Sequence, residues 1–333
     1  MGRLYWTMVI CCALLGAPVT RAAAGDKARE CKPSGAPQAL GEIGPLATAQ
    51  PVDYWSEAWL LVTDKQVKAE HVRLVAAAGK SIELGKPPIT AEPQYWLARG
   101  RAVYAVAKGR SQTAGKTDVV LMRWGTDPRP RMTILRTTGN VGGHFNGVFA
   151  QEFLVVTWTE QGADGKLHRM ASFLDSEDLR VGEPRDLGVD NGGMSRVLAV
   201  GKSFVVLWSG DKGLMRAAFD LHGKPAAPPA VVPGANTSNA IALAQCGERV
   251  WLVSQGSKDL SVASGALAGP VKSVAQLPLL PSGDTLQLQC VGESVALTRR
   301  MLSTKGDNVT LWVSTIDPSG KLRERRVKDT KGT

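Results

Sequence analysis

Phe153-Leu-Val-Val-Thr-Trp158 and Phe204-Val-Val-Leu-Trp208 are two copies of one short apolar stretch, and their agreement decides the fold. Val155-Val-Thr-Trp158 aligns with Val205-Val-Leu-Trp208 at a shift of 50 residues, and Ala171-Ser-Phe173 aligns with Ala217-Ala-Phe219 at a shift of 46. Four further stretches of the same kind flank them: Ala58-Trp-Leu-Leu-Val62, Ala102-Val-Tyr-Ala-Val106, Val250-Trp-Leu-Val253 and Ser294-Val-Ala-Leu297. Six copies therefore recur every 44 to 51 residues. Each is followed by a polar turn and a second strand-like stretch, such as Val119-Val-Leu-Met-Arg-Trp124 or Val309-Thr-Leu-Trp-Val313.

The turns repeat as well. Asp220-Leu-His-Gly-Lys224 and Asp317-Pro-Ser-Gly-Lys321 share Asp, Gly and Lys at the same offsets. Asp at the head of such a turn accepts from backbone N–H groups ahead of it, and Gly supplies a positive φ. Gly247-Glu248 and Gly292-Glu293 mark another turn, placed before the apolar stretch in copies 45 residues apart. No window keeps an apolar stripe of helical period for three turns. An all-β chain with this repeat length reads as a β-propeller of six four-stranded blades. A pair of β-sandwiches is the structural alternative.

Composition agrees with a folded chain. The 333 residues are 44% hydrophobic and 21% charged, which excludes disorder throughout. A net charge of +10 favours acidic partners through a salt-sensitive attraction. The basic residues are scattered except for Lys321, Arg323, Arg325, Arg326, Lys328 and Lys331, which read as a charged edge strand and tail rather than a polyanion site. No specific nucleic-acid binding is expected.

Residues 1–24 read as an export signal: Arg3 precedes the mostly apolar stretch Leu4 to Val19, and Ala22-Ala23-Ala24 offers small cleavage residues. Thr7, Gly16 and Pro18 make that stretch a poor spanning helix, and no other window is long and apolar enough to span. Ile10 and Cys11 stand where lipid attachment at Cys11 or Cys12 needs a small residue, so a lipoprotein is not expected. Residues 25–50, with Pro33, Pro37 and Pro45, read as a linker that lends a strand to the last blade; 51–333 is the propeller. A periplasmic or secreted monomer is the expectation.

Export leaves Cys31, Cys246 and Cys290, enough for one disulfide. Cys246 and Cys290 precede equivalent turns in adjacent copies, which favours pairing them; Cys31 pairing with either is the alternative. With four histidines and few thiols, no metal site or other cofactor is expected. Trp158, Trp208, Trp251 and Trp312 read as core. The pairs Tyr54-Trp55 and Tyr95-Trp96 suit sugar stacking or packing, and packing is preferred.

The chain resembles secreted bacterial six-bladed β-propeller proteins, at the level of architecture only. That resemblance implies a fold and no single function. Sialidase-like glycosidases share it, yet their Ser-x-Asp-x-Gly-x-Thr-Trp turn is missing: Ser176-Glu-Asp-Leu-Arg180 lacks the Gly and the Trp. No catalytic residue is assigned. The stretches between copies are instead rich in Gly and Asn, at 138–147, 190–196, 233–239 and 281–284. They make His144, Asn146, Asn191, Arg196, Asn236, Asn239 and Asp284 the ligand-binding candidates. The expected function is binding of a glycan or envelope protein, with an acidic partner favoured; glycoside hydrolysis is the alternative.

Overall fold

The computed structural model describes residues 48–327, apart from 55–56, 67–68, 77–80, 85–90, 126–128, 176, 178–179, 194, 236–239, 257, 267–268, 279–284 and 303–308. Among the described residues it is all-β, and its strands pair in chain order into six four-stranded sheets. The first holds β1 (Thr48–Tyr54), β2 (Glu57–Gln66), β3 (Ala69–Ala76) and β4 (Ser81–Glu83). The second holds β5 (Ala91–Arg99), β6 (Ala102–Arg110), β7 (Thr117–Trp124) and β8 (Arg131–Thr138). The third holds β9 (Val141–Ala150), β10 (Phe153–Gln161), β11 (Leu167–Leu174) and β12 (Arg185–Val189). The fourth holds β13 (Ser195–Val200), β14 (Ser203–Gly210), β15 (Gly213–Asp220) and β16 (Ala230–Val231). The fifth holds β17 (Ala240–Cys246), β18 (Arg249–Gln255), β19 (Asp259–Ala266) and β20 (Val271–Pro278). The sixth holds β21 (Thr285–Val291), β22 (Ser294–Leu302), β23 (Val309–Ile316) and β24 (Leu322–Val327). A meander of four antiparallel strands, repeated in series, is the blade of a β-propeller.

The apolar stretches are not the first strands of the blades. They fall on β2, β6, β10, β14, β18 and β22, each the second strand of its sheet. The reason is burial. A strand inside the sheet is covered on both faces and reads as a continuous apolar run. All but the ends of β10 is buried, whereas β9 alternates between buried and exposed or half-buried positions. The first strand β9 is thus written in Gly, Asn and alternating residues that resemble loop sequence. All four strands of the last sheet come from residues 285–327, so the expected strand from 25–50 is not among them. β1 starts inside that expected linker and belongs to the first sheet.

Two-residue hairpins join first to second strands. Gly100, Gly201, Gly247 and Gly292 lead them with φ of 56°, 57°, 62° and 63°, and Gln151 takes the same place at 55°. A positive φ confined to the first central residue is the pattern of a type II′ turn, which suits the twist of paired strands. The Asp-Gly-Lys turns form as the sequence requires. Asp220 Oδ1 accepts from the N–H groups of His222 and Lys224, and Asp317 Oδ1 from those of Ser319 and Lys321.

The chain divides into two compact units: Met1–Ala107 with Leu121–Met132, and Lys108–Val120 with Thr133–Thr333. In the first unit β1 lies beside β5, and Trp96 is buried 5.3 Å from Trp124. This is packing rather than a stacking platform. In the second unit β9 lies beside β13, β13 beside β17, and β17 beside β21. One apolar cluster there joins Val155, Phe173, Phe204, Trp208 and Phe219. A second joins Val205, Leu207, Val250 and Leu252, and a third Trp251, Val253, Val295 and Ile316. Trp158, Trp208 and Trp251 are fully buried, as expected of core; the side chain of Trp312 lies outside the described residues.

Candidate binding site

Four sequence candidates can be placed, all in the second unit. His144, Asn191 and Arg196 are exposed, and Asn146 is half-buried. Asn236, Asn239 and Asp284 lie outside the described residues. The stretch 138–147 is not the loop it resembles: only Gly139 and Asn140 separate β8 from β9, and His144 and Asn146 sit on a strand. Its glycines answer to crowding as well as to turning. A Cβ on Gly142 would meet Thr159 Oγ1 at 2.7 Å and Leu167 Cδ2 at 2.9 Å.

His144 itself stands at φ 50°, unusual for a residue with a side chain. Its neighbours hold it there. The Nη1 of Arg169, on β11, donates to the His144 carbonyl at 2.7 Å. Arg169 is wholly buried, and its Nε donates to Asp190 Oδ2 at 2.8 Å while Nη2 lies 2.6 Å from the same oxygen. Asp190 is as buried, and its other oxygen accepts from Gly192 N–H at 2.7 Å. Burial pulls the Arg169 guanidinium down from its usual range, and the Asp190 carboxylate pushes it back. One ion pair thus fixes the backbone of two candidate segments.

Other hydrogen bonds extend the scaffold. Asn146 Nδ2 donates to Ser195 Oγ at 2.8 Å, linking β9 to β13. Asn191 donates its backbone N–H to Ser209 O and its Nδ2 to Gly210 O, both at 2.8 Å. Arg196 Nε reaches Leu243 O on β17 at 3.5 Å. The result is a polar rim at one end of the third and fourth sheets, with His144, Asn191 and Arg196 exposed on it. Its exposed groups are hydrogen-bonding and positively charged, and the hydrogen bonds beneath them fix its backbone.

Sequence reasoning missed Arg169 and Asp190, although a signal was present. Leu167, Arg169, Ala171 and Phe173 share one face of β11, and Ala171 and Phe173 lie in an apolar cluster. An arginine in that series demands a buried acidic partner. Cys246 and Cys290 form the disulfide that their positions favoured, joining β17 to β21; Cys31 lies outside the described residues. Among the described residues, no group of three or more His, Cys, Asp or Glu is arranged to hold a metal ion. Nor, among them, is any helix long and apolar enough to cross a membrane.

No protein-family model matches the chain, and no curated protein matches it. Solved structures do. A prolyl endopeptidase structure is similar over 89% of this chain and 45% of its own, at 16% identity and a TM-score of 0.56. TolB from Acinetobacter baumannii is similar over 80% and 62%, at 14% identity and a TM-score of 0.41. The β-propeller domain of the Trilobed protease from Pyrococcus furiosus is similar over 85% and 84%, at 10% identity and a TM-score of 0.46. The chain therefore spans less than two thirds of TolB and under half of the endopeptidase chain. At these identities the likeness is one of fold. The chain is a β-propeller protein.

Proposed function

We propose that this is an exported binding propeller that engages an acidic glycan through the rim carrying His144, Asn191 and Arg196. The observation that carries the reading is the buried Arg169–Asp190 pair, which holds β9 and the 190–192 loop together beneath exposed polar side chains. Burying two charges is expensive, and the pair is a reason for the rim to keep one geometry. A rim ordered in advance loses less entropy on binding. The net charge of +10 and exposed Arg196 favour an acidic ligand.

Export is part of the proposal. It draws on the segment 1–24, and a disulfide suits an oxidising destination.

The test is a thermal-shift screen of residues 25–333 against a sulfated glycan, a neutral glycan and polyglutamate at two salt concentrations. A ligand at a hundred times its Kd raises stability by about 2.7 kcal/mol. A shift with the sulfated glycan that survives salt, and is lost in Asn191→Ala and Arg196→Ala, is the expected result. A shift abolished by salt reduces the effect to general charge attraction. No shift with any glycan removes the glycan reading, and release of product from fluorogenic glycosides would replace binding alone by glycoside hydrolysis.

A further inference from the structure

Beside the rim lies a histidine held by two carboxylates from two different elements. His168 is the second residue of β11, and strand alternation puts its side chain on the face opposite Arg169. Its Nδ1 lies 2.8 Å from Asp186 Oδ2 on β12. Its Nε2 lies 3.1 and 3.2 Å from the two oxygens of Asp164, in the turn between β10 and β11. The imidazole is mostly covered, at 18% exposure, while the carboxylates are about half exposed. A neutral imidazole has one N–H and can donate to one of them; only the imidazolium donates to both.

The turn closes over the ring. A Cβ on Gly162 would meet His168 Cδ2 at 2.9 Å, and Gly162 N–H donates to Lys166 O at 2.8 Å. The rim is one residue away: Leu167 O accepts from Asp190 N–H at 2.8 Å, and Leu167 Cδ1 lies 3.8 Å from a Cβ built on Gly192. The charged neighbours on each side are few. Glu160, opposite His168 on β10, is occupied by Arg136 Nη2 at 3.1 Å and Trp158 Nε1 at 3.3 Å. The turn adds Lys166, and β12 adds Arg185, which pairs with Ala171 on the other face of the sheet.

We propose that Asp164, His168 and Asp186 form a proton-operated clasp: the imidazolium pins the 162–166 turn to β12, and losing the proton releases one carboxylate and loosens the adjoining 190–192 loop. The consequence for ligand binding rests on the rim reading above; the clasp itself does not.

The sign of the pH effect follows from the ring's surroundings. Burial works against the charge and is the largest single influence, but the hydrogen bonds and charges of Asp164 and Asp186 together outweigh it. The folded-state pKa is raised above its ordinary 6.5. The clasp therefore contributes its full stability below about pH 6.5 and loses it as pH rises through the folded-state value. Asp164 shifts the other way. The Lys166 N–H and then His168 hold it below its ordinary range, so it stays ionised throughout this window.

Three measurements on the intact chain decide the matter without any ligand. The Tm of the wild type should exceed that of His168→Gln by about 2–4 °C at pH 5.5, and the gap should close by pH 9. An equal gap at both pH values reduces His168 to packing and overturns the clasp. In the wild type, ring NMR of the four histidines should show one titrating above 6.5 that Asp186→Asn lowers. No such histidine would overturn the proposal even if His168→Gln failed to fold. Hydrogen exchange at Gly192 N–H, corrected for base catalysis, should accelerate from pH 6 to 9 in the wild type and not in His168→Gln. A pH-independent rate in the wild type would detach the clasp from the rim.

Discussion

Two junctions between neighbouring sheets in the second unit are held in opposite ways. Where the fifth sheet meets the sixth, Trp251, Val253, Val295 and Ile316 pack together, and the Cys246–Cys290 disulfide ties β17 to β21. Where the third meets the fourth, an apolar cluster of similar kind gives way at one end to Arg169, Asp190, Asn146 and Ser195. A covalent tie and an apolar core constrain the chain without aiming any side chain. Buried ion pairs and hydrogen bonds hold particular backbone groups in place, at a desolvation cost that apolar packing does not carry. The comparison assigns stability to one junction and geometry to the other.

The comparison breaks most readily at Arg169. Arg169→Met leaves Asp190 buried without its partner and should cost about 3–5 kcal/mol, read as a fall in the urea midpoint. Asp190 and Arg169 replaced together by Leu and Met should recover much of that loss while still disordering His144 and Gly192. Recovery of both stability and loop order would refute the positioning role.

The opposite junction should respond next. Removing the disulfide, by reduction or with Cys246→Ser and Cys290→Ser, frees a loop whose ends lie 44 residues apart. The expected loss is about 2–4 kcal/mol. Hydrogen exchange should rise in β17 and β21 and stay unchanged in β9 and β13. Spread of the change to the third sheet would mean that the two junctions are not independent.

Asn146→Ala removes the one side-chain bond from β9 to Ser195 and should cost about 1 kcal/mol, measured as a lower denaturant midpoint at constant slope. A loss much beyond that would make the amide part of the core rather than of the rim.

The smallest effect has the opposite sign. Gln151 is the non-glycine leader among the described type II′ hairpins, at φ 55°. Gln151→Gly should stabilise by about 1 kcal/mol, raising the midpoint without moving the rim. Destabilisation would mean that the Gln151 side chain makes a contact worth more than the strain.

The six apolar stretches were legible because an inner strand buries both faces and carries its signal in every residue. β10 and β14 show this, with Trp158 and Trp208 fully buried in them. The first strand β9 reads as a loop because it is an edge strand of its sheet with Gly142 at a crowded position, and 141–147 differs little in composition from a turn. Repeat position favoured the disulfide, since equivalent sites in adjacent blades lie side by side, but it left Cys31 as an alternative partner until the structure paired Cys246 with Cys290. His144 and Asn191 are exposed, but what fixes their backbone was not legible: Arg169 and Asp190 are 21 residues apart.

The sequence by itself determined the all-β class, the repeat and the turn chemistry, because each depends on local pattern or on the repeat period; it favoured the pairing of Cys246 with Cys290 over pairing with Cys31, and the structure decided it. Only the tertiary structure decided which strand of each sheet is apolar throughout, which polar residues are spent on the scaffold, and that Asp164 and Asp186 converge on one imidazole. These depend on distances across strands and sheets, and a one-dimensional pattern carries no such distance until the register is set.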